Sequence, residues 1–244
     1  MNGKIFIVGT GPGSLEYMSL RAINSIKKSD VIIGYKTYIK LIEDLTEGKE
    51  LISSGMRLEV ERCQMAVDMA EAGKIVCLIS SGDAGIYGMA GIVLEIAAKA
   101  KSTIETEVVP GITSAISSAS LVGAPLMNDF AVISLSDLMT PWEVIVKRVE
   151  KASEGDFVMS IYNPKSIERV EQIKIFREIV LRHRGPETPV AIVKDAMREK
   201  QNYVLCNLGN MLDFPIDMTT TLIIGNSQTY ICDGKMITPR GYKY

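Results

Sequence analysis

The sequence predicts an α/β fold built in two domains. Three observations predict it. β-rich runs alternate with stretches of helical spacing along most of the chain. Three glycine-containing loops each follow a predicted strand in the first half. The 244 residues are 47% hydrophobic and 23% charged, a globular composition on a chain long enough for one large or two small domains.

The elements run in order. Lys4–Val8 is a short strand entering the loop Gly9-Thr10-Gly11-Pro12-Gly13. Leu20–Lys28 has helical spacing through Leu20, Ile23 and Ile26, and Val31–Ile33 is a strand. Glu59–Ala72 reads as an amphipathic helix with Val60, Met65, Val67 and Met69 among its apolar positions. Ile75–Ile79 is a buried strand, Gly88–Ala100 a helix and Ile104–Val109 a strand. Val108–Asn128 carries no charge and has the length of a membrane span, but its prolines, glycines and serines fit a strand end, a turn and a short buried helix. A polar, proline-containing stretch at 123–128 marks the boundary, giving domains 1–123 and 124–244. The second domain starts with a strand at Phe130–Leu135. A helix at Pro141–Lys151 follows, with Thr140 as N-cap and Pro141 at its first position. Phe157–Tyr162 is a strand, Ile167–Arg184 a long helix and Pro189–Val193 a strand. Tyr203–Leu208, Thr221–Ile224 and a short Thr229–Cys232 segment complete a strand-rich ending.

Composition narrows the function. Lys and Arg number 27 against 29 Asp and Glu, a net charge of −2, so no nucleic-acid partner is expected. The one histidine, His183, reads as a surface residue among Arg182 and Arg184. The four cysteines, Cys63, Cys77, Cys206 and Cys232, lack CxxC spacing, so no metal site is expected. With no signal peptide read at the N-terminus, reduced thiols, a cytoplasmic location and no membrane association are expected.

The glycine loops carry the chemistry. Gly9 and Gly11 fit the start of a dinucleotide fingerprint, but Ser14 replaces its third glycine and helical spacing begins only near Leu20. The loop is either a tight turn or a place where a cofactor approaches the main chain. Ser80–Gly88 follows a strand, and its Asp83 either bonds a ligand or caps the next helix. Pro110–Ser114 is the third such loop.

Together these loops resemble the tetrapyrrole methylase family. The similar segments are Val8–Gly13, Ser81-Gly82-Asp83, Val109–Ser114, Ile161–Pro164 and Pro189–Ala196, covering nearly the whole chain. Within the family, six segments are most similar to the branch that methylates carbon 17 of precorrin-3B or its cobalt-bearing counterpart, cobalt-factor III. They are Gly34–Tyr38, Ser54–Glu59, Ser80–Gly91, Ile133–Trp142, Tyr162–Ser166 and Thr238–Tyr242; Asn128 departs from the pattern. The resemblance implies two α/β domains with a cofactor cleft between them, a homodimer, and S-adenosyl-L-methionine as methyl donor to a tetrapyrrole substrate. It also implies contraction of the macrocycle, within cobalamin biosynthesis. It carries cofactor contacts onto Pro12, Ser81, Gly82, Asp83, Ile86, Thr113, Ser114, Asn163, Ala196 and Thr220.

Ring contraction moves protons, and Asp83, Asp137, Ser136 and Tyr35 are the candidate acids or bases. A substrate bearing many carboxylates needs cations, for which Lys36 and Arg57 are the first candidates, ahead of Lys165, Lys194, Arg198 and Arg240. Trp142 reads as packing. The alternatives are a methylase acting on another tetrapyrrole carbon and a nucleotide-binding oxidoreductase.

Overall fold

The computed structural model describes residues 3–55 and 58–243. It divides into two compact units, one ending at Ser114 and one beginning at Ala115.

The first unit is a five-stranded parallel sheet covered on both faces. Its strands are β1 (Lys4–Gly9), β2 (Val31–Tyr35), β3 (Glu50–Ser54), β4 (Ile75–Ser80) and β5 (Glu105–Val109), in the order β3-β2-β4-β1-β5. Its helices are α1 (Leu20–Lys28), α2 (Lys36–Lys40), α3 (Glu59–Glu71) and α4 (Ala90–Lys99). Side chains alternate across each strand. Ile5, Ile7, Val76 and Leu78 therefore pack on Cys63, Ala66, Val67 and Ala70 of α3 and on Ala90 and Val93 of α4. Phe6, Val8, Cys77 and Ile79 pack on Ala22 and Ile26 of α1 and on Ile39 of α2. Burial of both faces explains why the central strands read as unbroken apolar runs. At the sheet edge, β5 carries Glu105 and Glu107 paired with Lys4, and Glu107 also pairs with Arg21; charges at an edge discourage further strand addition.

The second unit takes in α5 (Ser114–Val122) from Ala115 onward, then the short β6 (Gly123–Ala124). There follow β7 (Phe130–Ser134), α6 (Trp142–Glu154), β8 (Val158–Tyr162), α7 (Gln172–Leu181), β9 (Pro189–Lys194), β10 (Asn202–Asn207) and β11 (Thr220–Ile224). The main sheet has the order β10-β9-β11-β8-β7 and is mixed, with β7 parallel to β8 and the other pairings antiparallel. One face buries Ile145 and Val149 of α6 with Phe176 and Val180 of α7 against Met159, Ile161, Ile192 and Leu222. Trp142 packs at the margin of this cluster, in keeping with the packing role read from sequence. The other face takes Ala119 and Val122 of α5 against Val158, Ala191, Val193, Ile223 and Met236. This packing draws α5 into the second unit, so the compact division falls at 114/115, where the composition shift had suggested 123/124. A last hairpin, β12 (Tyr230–Cys232) and β13 (Lys235–Ile237), turns on Asp233 and Gly234, both left-handed at φ +48° and +70°, and β13 joins β6.

Most expected elements are present, with local corrections. α3 buries the face of Arg62, Cys63, Ala66, Val67 and Ala70, leaving Val60 and Met65 exposed; Leu20 is likewise exposed on α1. α6 is capped by Pro141, whose carbonyl accepts from the amides of Val144 and Ile145, so Thr140 is not the cap. The helix expected from Ile167 begins at Gln172. Ser166 and Arg169 close a turn upstream, with the Ser166 amide donating to the Arg169 carbonyl at 3.1 Å and the Arg169 amide to Ser166 Oγ at 3.1 Å. α2 and β3 carried no clear periodicity and were not foreseen. The uncharged run 108–128 resolves into a strand end, α5 and β6, and no described helix is long and apolar enough to cross a membrane.

Candidate active site

In the first unit the three glycine loops leave the carboxyl ends of β4, β1 and β5, which are adjacent in the sheet. Ligands of open parallel sheets bind at such ends. The loops are joined directly. Gly11 and Gly82 form a two-way backbone bridge, Gly11 N to Gly82 O at 3.0 Å and Gly82 N to Gly11 O at 2.7 Å. Asp83 braces the rest: Oδ1 accepts from the Gly85 amide at 2.8 Å and Oδ2 from the Gly111 amide at 3.0 Å.

The glycines therefore answer to loop-on-loop packing. A Cβ at Gly9 would lie 2.7 Å from Gly82 O, and one at Gly111 only 2.2 Å from the same atom. Gly82 itself is left-handed, at φ +69°. The structure thus brings Ser81, Gly82, Asp83, Thr113 and Ser114 into one loop cluster: a Cβ at Gly82 would stand 3.6 Å from Thr113 Cα. Pro12 is buried in the turn after Gly11, while Ile86 and the left-handed Tyr87 are exposed farther along the Asp83 loop. Tyr35 closes β2, beside β4, with its ring edge-on to Tyr38 at 5.2 Å, and Lys36 is exposed at the start of α2. Arg57 lies outside the described residues.

The second unit gathers its candidates at one end of the main sheet. β8 and β9 end there and the antiparallel β11 begins there, so Asn163, Ala196 and Thr220 share an edge. β7 runs parallel to β8 and brings Ser136 and Asp137 to the same edge. Asn163 is left-handed at φ +49°, and Ala196 lies between left-handed Asp195 (φ +48°) and Met197 (φ +57°). Side chains in this sparsely used region concentrate at functional sites. Asn163 Nδ2 donates to Ser134 Oγ at 3.0 Å, and the Ser136 amide donates to the same oxygen at 3.2 Å. Asp137 Oδ2 accepts from Gln172 Nε2 at 2.8 Å.

Thr220 is buried and donates to Asp217 Oδ1 at 3.1 Å. Asp217 also accepts from Lys194 and from the amide and hydroxyl of Thr219. Desolvation raises the Asp217 pKa, but the hydrogen bonds from Lys194, Thr219 and Thr220 outweigh it and hold the carboxyl below its ordinary value. Lys194, a candidate for the substrate's carboxylates, is occupied by this pair and its pKa is raised. A depressed carboxylate contributes stability that is complete above its unfolded pKa and is lost as pH falls through the folded one. Urea midpoints taken from about pH 5 down to about pH 2 should therefore fall, and Asp217→Asn should flatten part of that decline; an unchanged profile would show that the cluster adds nothing.

Other groups are structural. His183 Nε2 sits 2.8 Å from Glu150 Oε1 at the surface. All four cysteines are free; burial pushes Cys77 up to about 12 and Cys63 and Cys206 up to about 11, while Cys232 is exposed. Among the described residues no cluster of three or more His, Cys, Asp or Glu could hold a metal ion. Sequence reasoning missed Arg169, Ser134 and Asp217, which support the candidate residues. Only Asp217 had a legible signal, an Asp followed by Thr219 and Thr220 just before a strand.

Two α/β units whose strand ends gather short side chains and left-handed backbone have the layout that open α/β sheets use to bind ligands. Residues 4–212 match the family described as Tetrapyrrole (Corrin/Porphyrin) Methylases, and the chain belongs to that family. It is 51% identical over 247 residues to a cobalt-factor III methyltransferase of Priestia megaterium, covering 100% of this chain and 46% of that protein. It is 49% identical over 236 residues to a probable cobalt-factor III C(17)-methyltransferase of Salmonella typhimurium, covering 97% of this chain and 98% of that protein. The crystal structure of the methyltransferase CobJ superposes with a TM-score of 0.91 at 30% identity, covering 97% of this chain and 100% of that one.

Proposed function

We propose that this chain transfers a methyl group from S-adenosyl-L-methionine to carbon 17 of cobalt-factor III, with ring contraction, in cobalamin biosynthesis. The reading includes action as a homodimer in the cytoplasm. The observation that carries it is the similarity, along essentially the whole chain, to relatives named for that substrate at 51% and 49% identity. Precorrin-3B, the form without cobalt, is the second substrate to test; the cobalt belongs to the substrate.

The residues present fit the cofactor. It has an adenine, a ribose and an amino-acid end, which call for an apolar surface, hydroxyl acceptors and nearby main chain. The Asp83 loop offers exposed Ile86, and Asp83 uses one site on each carboxylate oxygen for loop amides while each oxygen can accept again. On the first unit the proposed contacts are Pro12, Ser81, Gly82, Asp83, Ile86, Thr113 and Ser114; on the second they are Asn163, Ala196 and Thr220. When bound, S-adenosylmethionine supplies a methyl group already activated on a sulfonium. The protein's task is then to orient, and positioning of this kind lowers barriers by roughly 7–11 kcal/mol. Of the candidate acids and bases, Asp83 and Asp137 already hold structural partners, whereas Ser136 and Tyr35 lie at strand ends of the two sheets. Lys36 and Arg57 remain the proposed substrate cations.

A dinucleotide-binding oxidoreductase fits poorly. A pyrophosphate needs a helix N-terminus directly at the glycine loop. Here Ser14 caps only a short 3₁₀ turn at Leu15–Tyr17, and α1 starts later, at Leu20, capped by Ser19. The test incubates purified protein with S-adenosylmethionine and either cobalt-factor III or precorrin-3B. Mass spectrometry should show the gain of one methyl group, faster with the cobalt form. Absence of S-adenosylmethionine binding by calorimetry, or tight NAD binding in its place, overturns the reading.

A further inference from the structure

We propose that Arg169 is a positioning residue for the cofactor loop that follows β8, acting through Asn163. The proposal rests on the reading of Asn163 as a cofactor contact. Asn163 stands at φ +49°, where an L-residue other than glycine is held at a cost of about 1–2 kcal/mol, asparagine being among the most tolerant. Two bonds hold it. Arg169 Nη2 donates to the Asn163 carbonyl at 2.7 Å, and Asn163 Nδ2 donates to Ser134 Oγ at 3.0 Å.

Arg169 is itself placed by the closed turn with Ser166, which also delays the start of α7. Among the described residues, its guanidinium makes this one hydrogen bond, while its Nε is buried without a partner. The guanidinium is thus committed to one carbonyl, in a residue whose backbone conformation needs support. The direction of the Asn163 peptide depends on that support, and a cofactor contact through the same peptide depends on it in turn.

The test uses Arg169→Met, which keeps the bulk and removes the donor, and Arg169→Lys, which keeps a donor and removes the unpaired Nε. S-adenosylhomocysteine affinity is measured by calorimetry, kcat and KM by turnover, and folding by thermal melts. Arg169→Met should weaken S-adenosylhomocysteine binding about 10-fold or more, the range expected for a lost charged hydrogen bond, and raise KM for the methyl donor more than it lowers kcat. Its melting temperature should stay near that of the unmodified protein. Arg169→Lys should recover most of the affinity. Asn163→Ala, which disfavours φ +49°, should weaken binding similarly. In the double variant the two losses should not add, because both act through one carbonyl.

A folded Arg169→Met with unchanged affinity and KM overturns the proposal and leaves the parent reading intact. So does fully additive loss in the double variant. If Arg169→Met fails to fold, Arg169→Lys and Asn163→Ala decide: unchanged affinity in Asn163→Ala overturns the proposal. Failure of the unmodified protein to bind S-adenosylhomocysteine overturns the parent reading, and this proposal with it.

Discussion

Gly111→Ala is expected to destabilise the first unit by about 3 kcal/mol, near the upper end of what overpacking usually costs. The new methyl group would fall 2.2 Å from Gly82 O and 2.6 Å from Gly9 O. Both are backbone atoms, so neither can rotate aside as a side chain would. Relief requires the three loops to part, and with them the Gly11–Gly82 bridge and the bond from the Gly111 amide to Asp83. The backbone of Gly111 is not left-handed, so the effect is steric and not conformational. At about 2–4 °C per kcal/mol for a chain of this size, the thermal midpoint should drop by about 6–12 °C. Gly91→Ala is the control. It adds a methyl to open space within α4 and should stabilise by about 0.5–1 kcal/mol. If both variants melt like the unmodified protein, the loops are not packed as described.

Arg184→Met is expected to cost the second unit about 3–5 kcal/mol, from the desolvated acceptors it leaves unpaired. Arg184 is 7% exposed and follows α7. Its Nη1 donates to the Gly225 carbonyl beyond β11, and its Nη2 to the Phe157 carbonyl before β8 at 2.6 Å. Asp156 lies 3.8 Å from its Nε. Burial lowers the guanidinium's pKa and Asp156 opposes that shift. Methionine fills the space and supplies no donor, so two acceptors lose their partners. Arg182→Ala, an exposed neighbour, should change stability by less than about 0.5 kcal/mol. Urea midpoints compare the two; equal midpoints would mean the clasp contributes nothing.

Arg184 also shows where sequence reading stops. In the sequence it stands beside Arg182 and His183 and looks like one of three cations finishing a helix. Only the tertiary fold separates them, sending Arg184 inward to main-chain carbonyls while His183 meets Glu150 at the surface. The strands β1, β4 and β8 were legible because burial of both faces demands apolar side chains at most positions, Ser160 of β8 being a buried exception. α2 and β3 were not, since exposed, short elements carry no such demand. In the candidate site, the motif residues themselves were legible. Their supports were not: Arg169 reaches Asn163, and Gln172 reaches Asp137, through turns that leave no periodicity.

The glycine loops divide the matter most clearly. Strand, glycine loop and helix follow one another in the sequence, and that order by itself determined an α/β fold with loops at strand ends. Period and composition are local properties, and they suffice for that. Why the glycines are there was decided only by the tertiary structure. Read alone, the loop from Gly9 to Gly13 admitted a turn or a ligand's approach. In the fold, β1 lies between β4 and β5, so three loops distant in the chain converge within a methyl group's width. Close packing among backbones depends on the order of the strands, and no single loop's sequence contains it.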